Sequence, residues 1–220
     1  MFIRGKMKTK TKVLSVLLFL SVFMMLVSRV YALEFKLIQG FNLSSYKIQP
    51  EEYVSIGIPR IVGDYEINSV TGLLIGGGIE FNVSKNIAIE IDALYFQKGS
   101  IISAVKDEIQ ILKWNYDLNA LSFPMLIKIK LRSGPSAYFL GGGELSLILT
   151  HKIDGMNITE NYKTFDYGLI AGGGIEIKMK KSIVCLEGRY HFGLRDILKK
   201  HWRLESIKTN AIVLLVGIKI

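Results

Sequence analysis

A run of three glycines occurs three times in this chain, each time inside an alternating apolar stretch. The copies are Leu74-Ile75-Gly76-Gly77-Gly78-Ile79-Glu80-Phe81, Phe139-Leu140-Gly141-Gly142-Gly143-Glu144-Leu145 and Ile170-Ala171-Gly172-Gly173-Gly174-Ile175-Glu176-Ile177. Glycine weakens a strand unless the backbone must bend or something must pack close to it. Each copy continues with apolar residues on one face and a glutamate on the other. Small residues and carboxylates on one side, with isoleucine, leucine and phenylalanine on the other, describe a narrow barrel with an oily outside and a polar inside. That is the arrangement of a membrane-spanning β-barrel.

The amino terminus reads as an export signal. Arg4, Lys6, Lys8, Lys10 and Lys12 precede an apolar run from Val13 to Val27, and Val30-Tyr31-Ala32 places small residues where a signal peptidase cuts, so cleavage is expected before Leu33. The apolar run, about 15 residues, falls short of the roughly 20 that a spanning helix needs. The domains are therefore a signal peptide over 1–32 and a barrel over 33–220. The whole chain has 28 Lys+Arg and 19 Asp+Glu, and six of those bases and none of the acids lie in 1–32, so the exported part carries 22 − 19 = +3. The basic balance belongs largely to the discarded segment and gives no support for a nucleic-acid partner. With Cys185 as the single cysteine, no intramolecular disulfide forms. Hydrogen-bond closure of a barrel supplies the alternative means of holding an exported chain together.

Eight strands are predicted, over Glu34–Leu43, Thr71–Val83, Ile87–Gln97, Leu118–Leu131, Ser136–Leu149, Phe165–Met179, Ser182–Leu194 and Thr209–Ile220. Each is long enough to cross a bilayer at a tilt. Ser84-Lys85-Asn86, Arg132–Pro135 and Lys180-Lys181 make short turns. Ser44–Val70, Lys98–Asp117, Thr150–Thr164 and Arg195–Lys208 make long loops. Short turns at one rim and long loops at the other are the pattern of an outer-membrane barrel. The fold class is thus all-β: an eight-stranded antiparallel up-and-down transmembrane β-barrel.

Alternation assigns the outer face to residues such as Phe35, Leu37, Phe41, Ile75, Ile91, Met125, Ile127, Leu186, Leu214 and Ile218. The inner face receives Glu34, Lys36, Glu80, Glu90, Asp92, Lys128, Lys130, Glu144, Glu176, Lys178, Glu187, Arg189 and Lys219. Those seven acids and six bases nearly balance. Mutual pairing lowers the cost of burying charge, so they are expected to form a salt-bridged plug, centred on Glu80, Glu90, Asp92, Lys128, Lys130, Glu144, Glu176, Lys178, Glu187 and Arg189. A hairpin turn at Lys180-Lys181 sets Glu187 opposite Gly174 and Arg189 opposite Gly172, so long charged side chains fill space the glycines leave.

Four segments stand in order along the chain: Leu121-Ser122-Phe123-Pro124-Met125-Leu126-Ile127-Lys128, Ser136-Ala137-Tyr138-Phe139-Leu140-Gly141-Gly142-Gly143, Phe165-Asp166-Tyr167-Gly168 running on to Glu176, and Leu186-Glu187-Gly188-Arg189-Tyr190-His191-Phe192-Gly193-Leu194. In them the chain resembles strands of the outer-membrane β-barrel domain family that includes the PorT-type proteins of Bacteroidota, a resemblance that spans most of the mature chain and is clearest from Leu121 onward. The resemblance implies an eight-stranded barrel in a Gram-negative outer membrane. It implies no single activity, although the best-known member is associated with protein secretion.

No compact catalytic motif is visible. His191 lies on the inward face with Glu187 and Arg189, and Ser122 or Ser146 could complete a Ser-His-acid set, but no spacing demands it. His151 and His201 fall in the expected long loops. Glu90 and Asp92 share a face without a histidine or cysteine partner at metal-ligand spacing, and Lys128 or Lys130 on the next strand is their expected partner. The glycine triplets are not followed by the Lys-Ser/Thr of a phosphate loop. No enzyme activity, cofactor or metal is therefore expected. The last loop is basic, with Lys199, Lys200, Arg203 and Lys208 beside Trp202, and would meet lipid phosphates or an acidic partner. The expected partners are membrane lipid, the assembly machinery of the outer membrane and, through the long loops, another envelope protein. The chain is expected to be a monomer. The sequence supports a structural or loop-mediated interaction role, with an accessory role in envelope transport or secretion. Its alternatives are a narrow channel or transport component, a membrane-embedded hydrolase and a soluble ligand-binding barrel.

Overall fold

The computed structural model describes residues 32–50, 64–106, 109–131, 136–199 and 204–220. Period-2 sequence becomes strand throughout: β1 Ala32–Pro50, β2 Asp64–Asn82, β3 Ile87–Lys106, β4 Ile109–Lys130, β5 Ser136–Ile153, β6 Met156–Asn157, β7 Phe165–Lys178, β8 Ile183–Gly193 and β9 Leu204–Lys219. β6 is a two-residue strand folded back on the end of β5, across a turn whose Asp154 and Gly155 take positive φ. The eight long strands pair antiparallel with their sequence neighbours, and β1 pairs β9 from Lys36↔Lys219 onward, which closes the barrel. Closure removes the free edges that hydrocarbon would not tolerate. The expected export signal, apart from Ala32, lies outside the described residues, as does the Arg132–Pro135 turn.

The outward side chains are aliphatic and aromatic over a continuous band, with Phe35, Leu37, Phe41, Ile75, Met125, Phe139 and Leu214 all well exposed. Exposed apolar surface of this extent marks contact with lipid or a partner rather than water. At the short-turn rim the Ser84-Lys85-Asn86 and Lys180-Lys181 hairpins form as expected. Met179 N–H donates to the Ser182 carbonyl at 2.8 Å, with Lys180-Lys181 between them.

The other rim differs from expectation. Much of Ser44–Val70 and Lys98–Asp117 is strand rather than loop: β1 runs on to Pro50, β2 begins at Asp64, and β3 and β4 approach each other at Lys106 and Ile109. The reason is an inversion of phase at the lipid edge. On β4, Phe123, Met125 and Ile127 point out and Lys128 points in. Farther up the same strand, Asn115 and Asp117 point out while Tyr116, Leu118 and Ala120 are buried. Beyond the lipid the barrel becomes an ordinary water-soluble one, with an apolar inside. His151, expected in a loop, accordingly sits on β5 and is fully buried.

The glycine triplets mark places where neighbouring strands or inward side chains come too close for a Cβ. A Cβ on inward Gly142 would overlap the Met125 carbonyl and approach Leu126 Cα at 3.0 Å, and one on Gly174 would lie 2.8 Å from Glu187 Cγ and 2.7 Å from the Tyr138 hydroxyl. On outward Gly141 the nearest atom is 3.6 Å away, ordinary contact. Gly142→Val is therefore expected to destabilise the barrel by about 1–3 kcal/mol, while Gly141→Ala leaves it nearly unchanged. Urea unfolding of the two variants in micelles, with the heat-dependent gel mobility of the folded barrel as the folding control, measures the difference.

Candidate functional site: the filled lumen and its outer cap

The lumen is built in layers, each from inward positions of several strands. At the short-turn end, five cations interlock with six carboxylates. Arg189 of β8 pairs with Glu90 at 2.5 Å, Asp92 at 2.7 Å and Glu187 at 2.6 Å. Lys128 of β4 reaches Glu80 and Glu90, both at 2.7 Å, and its ammonium stands 4.3 Å over the Tyr138 ring. Lys36 of β1 bridges Glu90 at 3.1 Å and Glu187. Lys219 of β9 joins Glu34 at 3.1 Å, Glu80 at 2.7 Å and Glu176 at 2.5 Å. Lys130 closes on Glu80 at 2.6 Å. The Tyr138 hydroxyl donates to Glu187 at 2.7 Å. The expected register places Arg189 opposite Gly172 and Glu187 opposite Gly174.

Above this network lies an apolar layer of Ile38, Leu74, Leu94, Phe96, Ala211, Val213 and Leu215. A second polar cluster follows. Glu144 accepts from Ser122 at 2.7 Å, meets His191 Nδ1 at 3.1 Å and stands 3.8 Å from the Lys98 ammonium. The His191 ring stacks on Phe96 at 5.4 Å. Asp166 accepts from Thr209 at 2.9 Å.

The structure thus gathers nine of the ten expected network residues inside but splits them. Glu144 belongs to the upper cluster with His191, whereas Lys178 is exposed at the end of β7. Glu90 meets Lys128 as expected, but Asp92 turns to Arg189. Sequence reasoning left out of the site's core Lys36 and Lys219, which the barrel closure brings together, and Lys98, which lay in an expected loop. Alternation already placed the first two on the inner face. The Ser-His-acid possibility takes a different form from the one a nucleophile needs. Ser122 and His191 both bond the same Glu144 oxygen, so the hydroxyl addresses the acid and not the imidazole. Among the described residues no group of three or more His, Cys, Asp or Glu could hold a metal ion.

The outer mouth is capped by a soluble-type core of Tyr46, Ile102, Tyr116, Leu118, Ala120, Ile148, Tyr162, Ile197, Leu198 and Ile207, with Trp114 against it. The wall is low at β7 and β8. There the turn Thr159–Asn161 and the segment after β8 fold inward, and Tyr162 bridges Leu198. Asp196 ties this lid: its carboxylate accepts from Leu198 and Ile207 N–H at 3.1 and 2.9 Å and meets Lys163 at 3.4 Å. His151 lies beneath, with Nε2 2.7 Å from the Tyr46 hydroxyl and the Tyr162 ring edge-on at 3.8 Å. Of the basic loop, Lys199 is exposed and donates to the Glu160 carbonyl at 2.6 Å, and Lys208 is half-buried on β9. Lys200 and Arg203 lie outside the described residues, as does His201.

An aliphatic outside, a closed antiparallel wall and a charged inside define a membrane-spanning β-barrel. The chain belongs to the outer membrane protein beta-barrel domain family, whose model matches residues 29–199, and its place is the bacterial outer membrane. Solved structures with a similar course include the outer membrane protein OprG of Pseudomonas aeruginosa, at 14% identity over 86% of this chain and 96% of that one, TM-score 0.47. Ail, the attachment invasion locus protein of Yersinia pestis, is similar at 10% identity over 85% and 98%, TM-score 0.39. Neisserial surface protein A is similar at 12% identity over 84% and 96%, TM-score 0.44. No curated protein matches the sequence.

Arg189→Met leaves Glu90, Asp92 and Glu187 facing one another without their shared cation, and should cost about 3–5 kcal/mol; adding Asp92→Asn removes one orphaned charge and should recover part of that loss, in urea titrations of the folded barrel in micelles. His151 lies beyond the lipid band, and burial lowers its pKa from 6.5 to about 4. The folded barrel keeps it neutral where an unfolded chain takes up a proton, so its contribution is complete above about pH 6.5 and is lost as pH falls from there towards about 4. Trp114 fluorescence should follow this loss in the wild type, and His151→Gln should flatten it.

Proposed function

We propose that this protein is a non-conducting, non-enzymatic outer-membrane barrel that acts through its outer rim, as a structural or interaction component and as an accessory to envelope transport. The observation that carries the reading is the filled interior. Arg189, Lys36 and Lys128 are fully buried among Glu80, Glu90 and Glu187, and an apolar layer and a lidded cap stand above them. An eight-stranded barrel has room inside for side chains and little else, and here ion pairs, an apolar layer, a second polar cluster and a cap stand in it one above another. A solute would have to break several buried ion pairs and then part the lid. The outer strands, extended past the lipid edge, offer the surface for contact with another envelope protein. The motifs from Leu121 to Leu194 support the finer placement beside the PorT-type proteins, and with it an accessory role in secretion.

Planar-bilayer recording of the refolded barrel tests the reading. Wild-type protein should show no discrete conductance steps at neutral pH. Stable openings in the wild type would replace this proposal with a channel.

A further inference from the structure

Three cations, on β1, on β9 and just after β8, lie on the outside of the barrel at the outer edge of the lipid band. On β1, the last lipid-facing residue is Leu43 and the next charged outward position is Lys47. On β9, the corresponding pair is Ile212 and Lys208. Lys47 and Lys208 are register partners, so two like charges stand directly opposite each other, an arrangement that costs stability in a sheet. Arg195, next to exposed Leu194 at the end of β8, lays its guanidinium over the outward Tyr167 ring, 5.7 Å from its centre. None of the three pairs with an acid among the described residues. Asp196, the acid closest to Arg195 in sequence, is already occupied by Lys163 and two backbone N–H groups. The far wall carries both signs, with Lys113, Asn115, Asp117 and Asn119 on β4 and Lys152 of β5 opposite Asp117.

Four residues of tilted strand separate Lys47 from Leu43 and Lys208 from Ile212, a rise of about 10 Å along the membrane normal. A lysine chain reaching back down along the strand covers most of that distance. The three cations are therefore at the level of lipid phosphates, above acyl chains that the band below already solvates.

We infer that Lys47, Lys208 and Arg195 form a binding site for the phosphorylated headgroup of an outer-leaflet glycolipid, with Tyr167 as the platform that orients the guanidinium. A phosphate between the two lysines turns their repulsion into shared attraction. The acyl chains below lie against Leu43, Leu194 and Ile212.

Native mass spectrometry and thermal unfolding of the full barrel in micelles test the site, with lipid A, its dephosphorylated form and inorganic phosphate as probes. Wild-type protein should retain lipid A and unfold at higher temperature with it, and the dephosphorylated lipid should do neither. Lys47→Gln with Lys208→Gln should weaken lipid A binding by about tenfold or more. Without phosphorylated lipid the same variant should be as stable as the wild type or more so, since a repulsion has been removed. Should the double variant fail to show the heat-dependent gel shift of a folded barrel, Lys208→Gln alone is measured in its place. Equal binding of the two lipids, or undiminished binding by the folded variant, overturns the inference. Protection by inorganic phosphate as strong as that by lipid A assigns the site to free phosphate and likewise overturns it.

Discussion

Everything in this barrel rests on neutralising Arg189. A guanidinium with no exposure to water, inside a wall that is itself surrounded by hydrocarbon, is tenable only if its charge is matched and its donors are used. Glu90, Asp92 and Glu187 do both. Once they are there, those carboxylates need further cations, which Lys36 and Lys128 supply, and Glu80, the other close partner of Lys128, draws in Lys130 and Lys219. The network extends to both strands that close the barrel. Lys36 and Lys219 are register partners on β1 and β9, so pairing charges inside and joining the first strand to the last are one event.

The second constraint is the change of solvent along the barrel axis. Where lipid surrounds the wall, polar atoms must turn inward. Where water surrounds it, the hydrophobic effect reverses the preference and apolar residues turn inward. A single strand obeys both rules by inverting its alternation near the boundary, as β4 does around Ser122. The cap of Tyr46, Tyr116, Tyr162 and Ile148 is the result, and it gives the outer rim an apolar core of its own. The two ends of the lumen are thus shut by different physics, ion pairs below and hydrophobic packing above.

Both closures bear on what such a protein can do. With interior space taken, the proposed contacts fall to the outside of the extended rim. There Lys47 of β1 and Lys208 of β9 stand opposite each other, while β4 presents Lys113 and Asp117 with two asparagines.

Much of this was legible in the sequence. Period-2 alternation, the sorted turns and the Lys180-Lys181 hairpin determined the strand count, the inward face and even the opposition of Arg189 to Gly172, because register in a tight hairpin is local and the side-chain period is 2. Which carboxylate meets which cation was not legible. Arg189 and Asp92 are far apart in sequence, and only closure of the barrel brings β3 and β8 across a narrow lumen. For the same reason Glu144 left the lower network for His191, Ser122 and Lys98. The long strands beyond the lipid were also hidden, since a pattern that inverts its phase at the boundary, as in Lys98–Leu118, reads locally as a loop. The sequence alone determined a barrel with oily outside and charged inside. The tertiary structure decided that the charges form two clusters divided by an apolar layer and that the mouth is capped, because those choices depend on contacts between strands that share no local signal.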